Sequence, residues 1–254
     1  MQVNGTSTIV TGGASGLGHA TVTKLLALGA NVVIADLENS AGAEIAKQMG
    51  AACRFVAADV TSEADMLRVI AAAGESGPLR AVVHCAGRGG TVRVVDKNGE
   101  PGSLEHYEAV VRVNLIGSFN VLRLAAAAMA KAEEIDEERG VLVLTSSVAA
   151  FEGQIGQIPY ASAKAGIVGM TLVAARDLAS RKIRVCTIAP GVFDTPILAR
   201  IGAEVRAALA QSVPHPARLG RPEEFAMLVA HIIENPMLNG ETIRLDGAIR
   251  MAPR

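Results

Sequence analysis

The stretch STIVTGGASGLGHATVTKLLAL, residues 7–28, decides the fold of this chain. Its first part, Ser7 to Thr11, is typical of a buried β-strand, and the run from Ala20 to Leu28 is typical of an amphipathic helix. Glycine lacks a Cβ and permits a tight turn close to a ligand, while the N-terminus of a helix supplies free amides and partial positive charge. Strand, glycine turn and helix in this order predict a site for a dinucleotide pyrophosphate. The predicted contacts are Gly12, Ser15, Gly16, Leu17 and Gly18.

The alternation of strand and helix continues along the chain. Most of the strand-like runs are almost continuously apolar, which indicates parallel strands covered by helices on both faces. No linker, repeat or low-complexity tract interrupts the pattern. The sequence therefore predicts one α/β domain over residues 1–254, a doubly wound seven-stranded parallel sheet flanked by helices, known as the Rossmann fold. Beyond Ser7 to Thr11, the predicted strands are Val32 to Ala35, Cys53 to Ala57, Ala81 to Cys85, Val141 to Thr145, Arg184 to Ile188 and Thr242 to Leu245.

Composition narrows the class of function. Half of the 254 residues are apolar and the net charge is -1, so no basic surface for nucleic acid or an anionic membrane is expected. The longest apolar runs are far shorter than the roughly 20 residues of a membrane span. No export signal is visible, and the 3 cysteines are odd in number and widely spaced. We expect a cytoplasmic protein with reduced thiols that acts on small molecules.

Two carboxylates follow strands at the predicted cofactor edge. Asp36 ends the second strand, where it can accept hydrogen bonds from the adenosine ribose hydroxyls and repel a 2'-phosphate. The glycine turn itself contains no Lys or Arg, so the predicted cofactor is NAD rather than NADP. Asp59, beside Val60, can receive the adenine amino group, but it equally fits an acid at a helix N-terminus near Thr61 and Ser62.

Tyr160 and Lys164 are spaced i and i+4 in a helical run, so their side chains lie on one helix face. A nearby ammonium and a positive nicotinamide ring both favour phenolate, and we expect them to lower the pKa of Tyr160. Tyr160 then takes a proton from an alcohol or returns it to a carbonyl. Ser147 follows a strand at the same sheet edge and can polarise the substrate oxygen, although the residues alone do not distinguish it from Ser146. Asn114 lies in an otherwise apolar segment, which indicates a buried side-chain amide that needs hydrogen-bond partners and can hold a water behind Lys164.

Other reaction chemistries have weak support. His84 and Cys85 are consecutive strand residues that point to opposite faces, so they do not form one site, and core packing is the expected role. No histidine pair has a metal-ligand spacing, and no Gly-x-Ser-x-Gly motif is present. We expect no metal site. Two connections between strands and helices are longer than the others. The sequence predicts that Arg88 to Ser103 is a flexible loop near the substrate and that Lys131 to Arg139 is a solvated helix end.

Together these residues resemble the short-chain dehydrogenase/reductase family over nearly the whole chain. The resemblance implies that Asn114, Ser147, Tyr160 and Lys164 act together, with Asn114 supporting a water relay, Lys164 binding the nicotinamide ribose and Ser147 chosen over Ser146. It also implies a homotetramer assembled through the long helix that contains Tyr160 and the C-terminal strand region. The further cofactor contacts that it implies are Cys85, Ala86, Gly87, Pro190, Gly191, Phe193 and Thr195.

Longer strings are similar to one branch of that family, the type II 3-hydroxyacyl-CoA dehydrogenases, also described as 17β-hydroxysteroid dehydrogenases. They include residues 147–154, 166–172 and 238–251, and Cys85 fits this branch where the wider family has Asn. The resemblance implies NAD-linked, reversible oxidation of 3-hydroxyacyl-CoA to 3-ketoacyl-CoA in fatty acid metabolism. Residues 88–103 and 197–213 are less similar, which leaves acyl length open. The alternatives are a hydroxysteroid or secondary-alcohol dehydrogenase of the same fold, or a dinucleotide-binding scaffold without chemistry.

Overall fold

The computed structural model describes residues 1–199 and 202–253, and all seven predicted strands are present in this part of the chain. Each observed strand overlaps its prediction, with ends that differ by at most two residues. The fold class is confirmed. The strands are β1 (Ser7–Thr11), β2 (Asn31–Asp36), β3 (Cys53–Ala57), β4 (Leu79–His84), β5 (Gly140–Thr145), β6 (Ile183–Pro190) and β7 (Thr242–Leu245).

Helices follow or separate these strands. A π-helical turn, Arg112–Ile116, joins two of them into a long helical segment, and a short 3-10 turn, Ala179–Arg181, ends the longest one. The helices are α1 (Gly16–Ala27), α2 (Gly42–Met49), α3 (Glu63–Gly74), α4 (Leu104–Val111), α5 (Gly117–Met129), α6 (Ala149–Glu152), α7 (Ile158–Leu178), α8 (Pro196–Ala199), α9 (Ala203–Gln211) and α10 (Pro222–Glu234).

The sheet order is β3-β2-β1-β4-β5-β6-β7, and every pairing is parallel. The chain runs outward from β1 to β3 and then returns to place β4 beside β1. In open sheets of this kind ligands bind at the carboxyl ends of the strands where the order reverses. The topology therefore places the cofactor site at the carboxyl ends of β1 and β4.

The sheet separates two apolar cores. Because successive strand residues point to opposite faces, Ile9 and Val33 contribute to the core beneath α3, α5 and α7. Val10 and Ile34 contribute to the core beneath α1 and α10. All four side chains are buried. Burial on both faces explains the continuous apolar runs seen in the sequence.

The connection Lys131 to Arg139 differs in part from the prediction. It is a turn beyond the end of α5 and most of its acidic side chains are exposed, but Glu138 is buried. Its carboxylate pairs with the buried guanidinium of Arg184 in β6. Arg184 also donates to the carbonyl oxygens of Ile232 and Leu238 at 2.8 Å each, and of Ile233 at 2.9 Å. Arg184 therefore joins this turn, by its charge pair with Glu138, to the end of α10, by its hydrogen bonds.

The connection Arg88 to Ser103 contains more pairing than a flexible loop. Val92 forms a parallel bridge with Gln157, and Val95 forms an antiparallel bridge with Pro101. The first bridge ties the loop to the segment that precedes α7.

Two helical segments, Leu104–Met129 and Ile158–Arg181, are long and apolar enough to cross a membrane by length and composition alone. Helices that pack in a protein core pass the same test. Both segments contribute to the core beneath the sheet, through Val121 and Ile167 among others.

Candidate active site

The glycine turn between β1 and α1 is closely packed. A Cβ on Gly18 would lie 2.1 Å from the carbonyl oxygen of Gly12, and a Cβ on Gly12 would lie 2.8 Å from the amide nitrogen of Ala86. Gly12 and Gly16 also have positive φ angles of 68° and 50°. Helix α1 begins at Gly16, four residues before the predicted Ala20, so its first amides belong to the turn itself. The glycines let the turn close tightly on its own backbone, and no side chain caps the first amides of α1, an arrangement that fits a pyrophosphate.

Asp36 lies at the end of β2 against this turn. One carboxylate oxygen accepts from the Ala14 amide at 3.0 Å and the other from the Leu37 amide at 2.8 Å. The negative charge is therefore fixed beside the turn, where the ribose of a bound dinucleotide would lie. This arrangement fits a cofactor with free ribose hydroxyls.

Asp59 and Val60 lie one strand further out. One oxygen of Asp59 accepts from both the amide and the hydroxyl of Thr61 at 2.8 Å, which stabilises the turn before α3. The alternative interpretation of Asp59 as an acid before a helix thus has direct support, while its contact with adenine stays a prediction. The Val60 carbonyl accepts from Asn120 at 2.9 Å, and the Val60 side chain is buried.

Cys85, Ala86 and Gly87 leave β4 beside the turn. The Thr11 hydroxyl accepts from the Ala86 amide at 3.2 Å. Burial raises the pKa of the Cys85 thiol to about 12, so the thiol is neutral and not a nucleophile at neutral pH. This matches its expected role in packing.

Asn114 occupies the π-helical turn and is completely buried. Its side-chain nitrogen donates to the carbonyls of Arg88 at 2.8 Å and Val110 at 3.0 Å, and its side-chain oxygen accepts from the Arg88 amide at 3.1 Å. The amide therefore has the partners that its burial requires. These contacts fix the segment after Gly87 and leave no side-chain donor of Asn114 free for a water.

The structure distinguishes the two serines after β5. Ser146 is buried, and its hydroxyl donates to the Lys164 carbonyl at 2.8 Å, which is a packing role. The Ser147 hydroxyl accepts from the Ala149 amide at 3.1 Å, and its proximity to the Tyr160 phenol lowers the pKa of that phenol. Ser147 is therefore the serine beside the phenol.

Tyr160 and Lys164 come together in the first turns of α7. The Lys164 Nζ lies 5.6 Å from the centroid of the Tyr160 ring and donates to the Thr145 carbonyl at 2.8 Å. Burial lowers the pKa of Lys164 to about 8. Burial also raises the pKa of Tyr160, while the nearby Ser147 hydroxyl acts in the opposite direction.

The direction of the Tyr160 shift differs from the sequence expectation. Lys164 was expected to lower this pKa, but removal of the phenol from water has the larger effect, and the ammonium of Lys164 is directed to the Thr145 carbonyl. The protein alone therefore holds a neutral phenol.

The segment after β6 covers the glycine turn. Pro190 is the last residue of β6, and a Cβ on Gly191 would lie 2.9 Å from Asp246. Phe193 is buried and bridges to Gly220. The side chain of Thr195 lies 3.4 Å from the position of a Cβ on Gly16. The four residues predicted here thus follow the edge of the cofactor site.

The assembled geometry agrees with the comparison to known families. Residues 6–206 match the family model of the short chain dehydrogenases. The chain belongs to this family. It is an oxidoreductase that uses a nicotinamide dinucleotide.

Relatives of this short-chain dehydrogenase extend over its whole length. A human protein named 3-hydroxyacyl-CoA dehydrogenase type-2 is 52% identical over 255 residues, which cover 99% of this chain and 98% of that protein. A crystal structure of 3-hydroxyacyl-CoA dehydrogenase type-2 from Mycobacterium avium has a TM-score of 0.97 and 48% identity, covering 100% of this chain and 99% of that one. A 3-ketoacyl-(acyl-carrier-protein) reductase from Brucella melitensis, crystallised with NADH, has a TM-score of 0.84 and 28% identity, covering 97% and 98%.

Sequence reasoning about this dehydrogenase missed one set of residues at the site. Thr11, His84 and Ser118 form buried hydrogen bonds behind Asn114. Strand alternation separated His84 from Cys85 correctly, but it does not reveal which helix residue a buried imidazole meets. The available signal was the burial itself, because a polar ring in a buried strand requires partners.

Proposed function

We propose that this dehydrogenase catalyses NAD-linked, reversible oxidation of 3-hydroxyacyl-CoA to 3-ketoacyl-CoA in fatty acid metabolism. The substrate class is supported by identities of 52% and 48%, over nearly the full length of the chain, to proteins named for this activity. The proposed chemistry depends mainly on the placement of Tyr160, which lies near Ser147 and one helical turn from Lys164, whose ammonium lies beside Gly87.

Each of these side chains has a distinct role in the proposal. A bound nicotinamide would supply the acceptor for the hydride of the alcohol carbon and, when reduced, its donor to the carbonyl. Tyr160 removes the alcohol proton in one direction and donates it in the other. Ser147 donates to the substrate oxygen and polarises it. The Lys164 ammonium binds the nicotinamide ribose and favours the phenolate of Tyr160, and Asn114 supports a water relay behind Lys164.

We propose NAD rather than NADP because the Asp36 carboxylate is fixed against the glycine turn. A 2'-phosphate would bring a second negative charge to the same position. The change Asp36→Ser removes this repulsion, so kcat/KM with NADP is expected to rise while that with NAD falls. Equal use of NAD and NADP by the unchanged protein would contradict the assignment.

The proposed assembly is a homotetramer formed through α7 and the region of β7. Large apolar side chains are exposed on α7, among them Ile158, Leu172 and Val173, and a groove of about 750 Å³ lies between this helix and residues 92–95. Burial of these side chains against another copy would remove apolar surface from water.

We further propose a cytoplasmic location without nucleic-acid or membrane partners, in keeping with the balanced charge and the free cysteines.

The change Tyr160→Phe tests the reaction. We expect kcat for acetoacetyl-CoA with NADH to fall by about 10²- to 10⁴-fold, while the dissociation constant for NADH stays within about two-fold. Tyr107→Phe is the matched control, because Tyr107 is the other of the 2 tyrosines and its hydroxyl contacts Ser162 at 3.1 Å. Faster turnover of a steroid ketone than of acetoacetyl-CoA would favour the hydroxysteroid alternative. Binding of NADH without turnover of any substrate tested would favour a scaffold.

A further inference from the structure

Four buried residues form a continuous series of hydrogen bonds behind the active site. The Thr11 hydroxyl lies 2.7 Å from Nδ1 of His84, and Nε2 of His84 lies 2.9 Å from the Ser118 hydroxyl. Ser118 in turn donates to the carbonyl oxygen of Asn114 at 2.5 Å. Each of the four residues is at most 1% exposed. We refer to Thr11, His84, Ser118 and Asn114 as the buried relay.

The direction of every hydrogen bond in the buried relay is fixed by its ends. The Asn114 carbonyl can only accept, so it takes the single hydroxyl proton of Ser118. Ser118 must therefore accept from Nε2–H of His84, which leaves Nδ1 as an acceptor for the Thr11 hydroxyl. The oxygen of Thr11 also accepts from the Ala86 amide at 3.2 Å. One tautomer of His84 satisfies all of these contacts.

The buried relay requires a neutral imidazole. Burial lowers the pKa of His84 to about 3, and the Lys164 charge acts in the same direction. The tautomer is therefore kept across the neutral range. A protonated ring would lose its acceptor for Thr11 and place a second cation near Lys164.

Both ends of the buried relay belong to the active site. At one end the Ala86 amide packs against Gly12 of the cofactor turn. At the other end Asn114 holds the backbone of Arg88 by two hydrogen bonds. A Cβ on Gly87 would lie 2.7 Å from Oδ1 of Asn114 and 3.7 Å from Nζ of Lys164. The segment that the relay holds therefore packs directly against the Lys164 ammonium.

We propose that His84 and Ser118 are positioning residues for hydride transfer, because the buried relay fixes Asn114 and, through it, the Gly87–Arg88 segment beside Lys164. Neither side chain contacts substrate or cofactor in this role. The π-helical turn around Asn114 fits the idea, because such turns are frequent at functional sites and lack the i to i+4 hydrogen bonds of an α-helix. The inference rests on the proposed function in one respect, because its test measures turnover of the same acyl-CoA substrate.

The experiment compares Ser118→Ala with Ser118→Thr, which keeps the hydroxyl. The matched control is Thr171→Val, because Thr171 is 1% exposed, donates to a carbonyl one turn back at 2.8 Å and meets a second buried side chain, Thr187, at 2.6 Å. Unlike Ser118, Thr171 has no contact with Asn114 or Gly87 among these bonds. The measurements are the single-turnover rate of hydride transfer, KM for acetoacetyl-CoA, the dissociation constant for NADH and the Tm.

We expect Ser118→Ala to slow hydride transfer about ten-fold, as a small misplacement of catalytic groups does. KM and the NADH dissociation constant should stay within about two-fold, and Ser118→Thr should recover most of the rate. The control should lose stability without loss of rate. Equal rate losses in Ser118→Ala and Thr171→Val, or no loss in either, would overturn the proposal. An inactive wild-type protein would instead contradict the proposed function, since the inference concerns ratios to wild type.

A second pair of variants covers the case in which Ser118→Ala does not fold. His84→Gln retains a donor at the position of Nε2, whereas His84→Leu removes it. We expect the hydride-transfer rate of the glutamine variant to exceed that of the leucine variant by about five-fold or more at the same NADH affinity. Equal rates would refute a positioning role for His84.

Discussion

Replacement of Lys164 by Met should make the cofactor-free protein more stable while it destroys turnover. Lys164 is 4% exposed, and burial lowers the pKa of its ammonium from the ordinary value of 10.5 to about 8. That difference corresponds to about 3 kcal/mol at neutral pH, since one pH unit is worth about 1.4 kcal/mol. Loss of the hydrogen bond that Lys164 donates to the Thr145 carbonyl lowers the stability of the variant by about 1 kcal/mol. We therefore expect a net gain of about 2 kcal/mol and a Tm higher by about 4–8 °C.

The same variant predicts a pH dependence. Below pH 8 Lys164 is charged in both the folded and the unfolded chain, so burial of its charge destabilises the folded protein to the full extent. Between pH 8 and 10.5 the unfolded chain holds a proton that the folded one has released, and the free energy of unfolding of the wild type rises with pH. The advantage of Lys164→Met should shrink across this window.

Urea denaturation of the cofactor-free protein at pH 7 and pH 9.5 measures both effects. Lys47→Met is the control, because Lys47 is an exposed lysine of α2 and its replacement should leave stability and its pH dependence unchanged. A Lys164→Met protein less stable than wild type at pH 7 would refute the reasoning that burial of this charge opposes folding.

Four further substitutions have defined outcomes. Ser147→Ala should lower kcat by about 10²- to 10³-fold, whereas Ser146→Ala should mainly reduce the free energy of unfolding by about 1 kcal/mol. Steady-state kinetics and urea unfolding measure these effects, and a larger loss of kcat in Ser146→Ala than in Ser147→Ala would contradict the assignment. Gly18→Ala should abolish NADH binding measured by fluorescence, because its Cβ would lie 2.1 Å from a carbonyl oxygen; wild-type affinity would contradict the packing. Arg184→Met should cost about 3–5 kcal/mol in urea unfolding, since it leaves the buried Glu138 carboxylate with only the N-terminal ammonium, 3.5 Å away; a change below about 1 kcal/mol would show that this ammonium or water replaces the guanidinium.

The sequence predicts the sheet well because its strands are buried on both faces. β1, β4, β5 and β6 are entirely buried, and such strands produce apolar runs whose ends are marked by glycine, proline or polar residues. The spacing of Tyr160 and Lys164 is equally local, because four residues in a helix fix a shared face. These features depend on neighbours in the chain.

Other features depend on residues that are distant in the chain. The burial of Glu138 follows from Arg184, 46 positions away, and an acidic stretch gives no sign of it. The partner of His84 is Ser118, 34 positions away on a helix that crosses the strand. The pKa of Tyr160 depends on how completely the fold removes the phenol from water, which the i, i+4 spacing does not encode.

The contact between Thr195 and the glycine turn bears on the order of events in turnover. A dinucleotide seated on Gly16 would lie beneath the segment that leaves β6, and the Asp194 carboxylate of that segment is tied to Arg206 of α9 by an ion pair of 2.5 Å. We therefore expect this segment to move when the dinucleotide binds and when it leaves. We expect compulsory-order kinetics, in which the oxidised or reduced dinucleotide is the first to arrive and the last to leave.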